Sequence, residues 1–146
     1  MLLDTVDVNG KLTITVINEE GDEVCTREVR NLVVSAGKGY IASRMVSNTD
    51  LVMSHMAVGT SNTAPSVGET GLVTEVGRVV LDTTLLSNTT VTYVATFPPG
   101  TGTGALTEAA ILNAGSGGTM LCRTNFNEVN KGAADTIVIT WNVTIS

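Results

Sequence analysis

One histidine, two cysteines and fourteen carboxylates are the main chemical inventory of this 146-residue chain, and their spacing limits what each can do. His55, in Met53-Ser54-His55-Met56, would need a nucleophile and an orienting acid to act as a general base; its apolar neighbours read instead as a strand residue or turn contact. Cys25 and Cys122 stand far apart, outside any Cys-x-x-Cys or Cys/His spacing, and read as buried free thiols. Together with a single histidine they fall short of a zinc ligand set. Gly37-Lys38-Gly39 precedes a helical stretch, where backbone N–H groups can hold an anion. The full phosphate-loop pattern is missing, and Gly39 stands where the magnesium-binding hydroxyl would be, so close backbone packing at a helix entry is expected.

The acidic turn Asn18-Glu19-Glu20-Gly21-Asp22-Glu23 has oxygens for calcium but no EF-hand spacing, and reads as a solvated hairpin tip. Glu69, Glu75, Asp82 and Glu108 read as isolated, without a carboxylate dyad for sugar hydrolysis. Tyr40, Tyr93, Phe97, Phe126 and Trp141 are too few to suggest a carbohydrate platform, and Trp141 reads as core or interface. No catalytic, cofactor-binding or metal-binding residue is assigned, and a non-enzymatic protein is expected.

Charge narrows the partners. The net charge is −6, and Asp4, Asp7, Glu19, Glu20, Asp22, Glu23 and Glu28 are half of all carboxylates. Lys11, Arg27, Arg30, Lys38, Arg44, Arg78, Arg123 and Lys131 are scattered singly, which argues against direct nucleic-acid binding. Charged residues make up 15%, against about 25% in typical soluble domains, leaving a largely neutral surface suited to protein contact. No apolar run is long enough for a membrane span, and Met1-Leu2-Leu3-Asp4 lacks the character of a secretory signal, so synthesis in a cytoplasm is expected.

The elements that must position these residues are mostly strands. Twenty-three threonines and twenty valines favour sheet, with the clearest alternation from Asp135 to Ile145. Leu12, Ile14 and Val16 share one face opposite Thr13 and Thr15, and a hairpin is expected over about 11–31. Ser35 to Val46 is the one helical stretch, with Ser35 as cap and Ile41, Met45 and Ala42 on the buried face. A strand at 55–58 enters a surface connection over 59–71. The segment 76–86 is expected to pair with Thr90–Phe97, where Tyr93 shares a face with Val91 and Ala95. Further strands are expected near 105–112 and 119–126, after a turn rich in Gly at 100–104.

The fold expected is all-β, an antiparallel β-sandwich or jelly-roll-like domain with one short α-helix near residues 36–47 and an N-terminal β-hairpin. Residues 1–30 form that hairpin or arm and 31–146 the sandwich with its helical insertion, within one compact domain overall.

In order along the chain stand Asn31-Leu32-Val33-Val34-Ser35-Ala36-Gly37-Lys38, His55-Met56-Ala57-Val58-Gly59-Thr60, Thr90 to Phe97, Gly102-Thr103-Gly104-Ala105-Leu106-Thr107-Glu108-Ala109, Asn130-Lys131-Gly132-Ala133-Ala134-Asp135-Thr136 and the terminal strand. This series, over roughly residues 31–145, resembles small β-rich virion structural proteins of tailed bacteriophages. The resemblance implies a virion protein made in a bacterial host's cytoplasm. It acts without catalysis, as a capsid decoration (cement) protein on the major capsid protein or as a tail or tail-fibre component bound to tail proteins. A homo-oligomer is expected, with a trimer favoured, and edge pairing through the N-terminal arm or the final strand is the expected contact. A carbohydrate- or calcium-binding β module is the alternative from another class.

Overall fold

The computed structural model describes residues 6–46 and 49–146. The helix end expected at Ser47 and the segment Met1–Asp4 lie outside the described residues.

The chain is mainly β and antiparallel, as expected, with one short helix. In chain order come β1 (Val8–Ile17), β2 (Glu23–Val33), α1 (Ser35–Val46), β3 (His55–Gly59), β4 (Glu75–Val80), β5 (Thr83–Ser87), β6 (Thr90–Phe97), β7 (Gly104–Leu112), β8 (Met120–Lys131) and β9 (Thr136–Ile145). They form one nine-stranded sheet in the order β4-β3-β7-β8-β2-β1-β9-β6-β5. Strand β2 joins its two leaves: residues 23–31 pair with β1, whereas Leu32 and Val33 pair with Arg123 and Cys122 of β8. The sheet curls there, and the leaves pack face to face.

The core follows the alternation of the sequence. Leu12, Ile14 and Val16 of β1, Tyr93, Ala95 and Phe97 of β6, and Ile137, Ile139, Trp141 and Val143 of β9 are buried from one leaf. They meet Met56, Val58, Ala109, Ile111 and Cys122 from the other. Each fully buried large apolar side chain contributes roughly 1.5–3 kcal/mol. Trp141 belongs to this core, and its Nε1–H donates to Asn31 Oδ1 at 2.9 Å, which satisfies the indole.

Three expectations are corrected. The N-terminal hairpin forms, but β1 lies between β2 and β9, and β9 lies between β1 and β6. Neither β1 nor the final strand is therefore an open edge; the sheet ends at β4 and β5, while residues 23–31 of the hairpin's second strand, β2, pair only with β1. The segment 76–86 is two strands: β4 pairs with β3, and only β5 pairs with β6. Between them the chain changes leaf, with the Leu81 N–H donating to Ser54 O and the Asp82 N–H to Val94 O.

The third correction concerns α1. Its docking point is Gly37, where a Cβ would collide with the Leu121 carbonyl oxygen, so the close backbone packing expected there is observed. Tyr40 and Ile41 pack partly against the core, while Ala42 is exposed and Met45 is 87% exposed. The helix touches the sheet through its first half and projects beyond it, which an apolar periodicity cannot reveal. At its start the Ser35 N–H donates to Val67 O and the Lys38 N–H to Val34 O.

Candidate functional site

The groups with chemical potential fall in three places. The first is a buried ion cluster on the outer face of the β3-β7-β8 leaf. Pairing of β7 with β8 slips between Leu106↔Val129 and Glu108↔Asn125, so Leu106 enters the inter-leaf core while Glu108 turns outward. Arg123 lies opposite Ala110 on the neighbouring strand, diagonally beside Glu108. Both side chains are fully buried and their ion pair is 3.0 Å long.

The same Glu108 carboxylate accepts the N–H groups of Ser61, Val73 and Thr74 at 3.1, 3.0 and 2.8 Å. Arg123 also donates to Thr63 O at 2.9 Å and pairs with Glu69 at 3.1 Å. Every one of these partners except the two strand residues belongs to the connection between β3 and β4. The cluster is thus an internal clamp that ties this connection down, since a carboxylate holding several N–H groups and a guanidinium is fully occupied. Glu69 and Glu108 are not isolated, as the sequence suggested; Arg123 gathers them from 54 and 15 positions away.

The second place surrounds His55. Ser54 Oγ and His55 Nδ1 are hydrogen-bonded at 2.7 Å, and a Cβ at Gly115 would lie 3.4 Å from Nε2. The imidazole thus sits between a hydroxyl and a glycine turn. The charges close by are spent on each other and on that turn: Arg78 pairs with Glu75 through two hydrogen bonds, of 2.9 and 2.6 Å, and also donates to Ala114 O and Gly117 O.

Thiols and acids stay dispersed. Cys122 pairs with Val33, and Cys25 lies eight residues back along β2, roughly 26 Å at strand rise, too far for a disulfide. Cys122 is buried and Cys25 half-buried; burial pushes the Cys122 thiol well above its ordinary range. At the acidic tip Asn18 Oδ1 accepts the N–H groups of Glu20 and Asp22, shaping the turn. Among the described residues, no three His, Cys, Asp or Glu side chains gather in a way that could hold a metal ion.

The third place is the candidate functional site: an apolar groove of about 620 Å³ between α1 and the β5-β6-β9 end of the sheet. Ile41 and Tyr40 line its helix side, Val91, Tyr93, Val143 and Ile145 its sheet side, and Thr84 and Leu86 of the edge strand its lip. Some exposed apolar side chains lie at it: Val52, Leu86 and Ile145 belong to its lining, and Leu51 and Met45 adjoin lining residues in the chain. Arg44, which also lines it, is held by Asp50 O and lies over the Tyr40 ring. Burial drives the Tyr93 phenol far above its ordinary range. The arrangement can take up apolar surface; it presents no pair of groups poised for proton transfer. Sequence reading missed it because its walls come from five elements, α1, β5, β6, β8 and β9, and from the loop before β3.

Searches against protein-family models, curated proteins and solved structures find no match.

Proposed function

We propose that this chain is a non-enzymatic structural protein of a bacteriophage virion, a capsid decoration protein that binds the major capsid lattice as a homo-oligomer. The resemblance of the ordered segments over 31–145 supplies the virion context. The observation that carries the reading is the division of the surface: buried and half-buried ionic groups such as Glu108, Arg123, Glu75 and Arg78 are occupied within the fold, while one open groove is lined mainly by apolar side chains, Val52, Leu86 and Ile145 among them exposed. That pattern suits adhesion to protein. Each contact can be weak, because a symmetric oligomer engages several lattice subunits at once and later contacts form at high effective concentration. A trimer at a local symmetry axis fits that requirement.

The test is to mix purified protein with undecorated phage heads. Co-sedimentation and increased resistance of the heads to heat are the expected results. Failure to bind overturns the decoration role, and label found at the tail of intact particles assigns the protein to adsorption instead.

A further inference from the structure

We propose that β5 is an assembly edge, through which a second copy of this chain pairs antiparallel across a two-fold axis centred on Leu85. This goes beyond the virion reading and does not rest on it.

The two ends of the sheet are built differently. Edge strand β4 is blunted: it carries the Glu75–Arg78 ion pair, and its register slips between Val58 and Gly59 of its partner. Charge and irregular pairing are devices that keep an edge from recruiting another strand. Edge strand β5 has none of them. Thr83-Thr84-Leu85-Leu86-Ser87 contains no charge and no proline, all five residues are exposed, and Leu85 and Leu86 are 64% and 69% accessible.

The backbone sets the register. Ser87 pairs with Thr90 across a two-residue turn in which Asn88 takes a φ of 53°, so Ser87, Leu85 and Thr83 direct their N–H and C=O groups towards β6. By alternation, those of Thr84 and Leu86 point out from the sheet. Two copies satisfy them by placing Thr84 of each opposite Leu86 of the other. Leu85 then faces its own mate at the non-hydrogen-bonded centre, where Cα atoms approach to about 4.5 Å. Thr84 and Leu86 line the groove, so the same pairing brings two apolar grooves lip to lip.

A five-residue strand covers less area than the roughly 1,200 Å² of a stable interface. The contact is therefore weak in dilute solution and becomes populated where copies are already crowded. Being two-fold, it would link one oligomer to the next rather than close a trimer.

The test is disulfide trapping in a Cys25→Ser background at high protein concentration. Leu85→Cys is expected to give a covalent dimer on mild oxidation. Leu86→Cys, displaced from its mate in this register by more than the roughly 7 Å a disulfide can span, and Val80→Cys on the other edge are expected to give none. Leu85→Lys should weaken self-association at least tenfold in sedimentation, while Val80→Lys leaves it unchanged. Equal trapping through Leu85→Cys and Val80→Cys, or no dimer from Leu85→Cys in folded protein, overturns the proposal. Pairing of β5 solely with a different protein gives that second result and overturns it too.

Discussion

At the residue scale, Arg123 has the most demanding position in the chain. It is completely buried, and it neutralises Glu108 while reaching Glu69 and the Thr63 carbonyl. Removing one partner of a buried pair leaves the other charge desolvated, a loss of about 3–5 kcal/mol. Arg123→Met is expected to destabilise by that order in urea unfolding, and to speed hydrogen exchange at the Ser61, Val73 and Thr74 amides that Glu108 holds. Glu69→Gln should cost much less, since Glu69 keeps contact with solvent. Unchanged exchange in Arg123→Met would show that the connection is held by something other than this cluster.

At the scale of elements, two glycines two positions apart in α1 have opposite roles. Gly37 touches the Leu121 backbone, whereas a Cβ at Gly39 would meet nothing within 4 Å. Gly37→Ala should destabilise by about 1–3 kcal/mol through overpacking, and Gly39→Ala should stabilise by about 0.5–1 kcal/mol through helix propensity; thermal melts of both variants check the pair. The same contrast explains what was legible in the sequence. Leu12-Ile14-Val16 and Ile137-Ile139-Trp141 announced their buried face because a strand has period two and one face is covered. Met45 misled because periodicity cannot tell how far a helix reaches past its support. The β4/β5 break stayed hidden because both strands are exposed on long stretches, and the Glu108–Arg123–Glu69 cluster because a register slip and a distant loop create it. The groove was equally out of reach, being an empty space between elements rather than a motif.

For the whole molecule, pH tests the burial of the core. Tyr93 and Cys122 have folded-state values raised above their ordinary 10.0 and 9.0, chiefly by desolvation. The unfolded chain therefore releases these protons first, so their contribution is intact below pH 9.0 and declines as pH rises above it, by about 1.4 kcal/mol per pH unit per group. Lys131, buried with its Nζ on Pro98 O, has its value lowered by desolvation and acts in the opposite sense up to its ordinary 10.5. With two acids against one base, stability should fall on the alkaline side, and Cys122→Ala should make that decline shallower in urea titrations at successive pH values. The order of strands also has a kinetic consequence. At the centre of the sheet Val8 pairs with Ile145 and Ile17 with Thr136, the first strand with the last. During synthesis β1 must wait for residues 136–145 before its second neighbour arrives, and pairing over such separations is slow. The apolar face of the early hairpin is a hazard for misassociation until β9 emerges, so this half of the sheet closes only after residues 136–145 have been made.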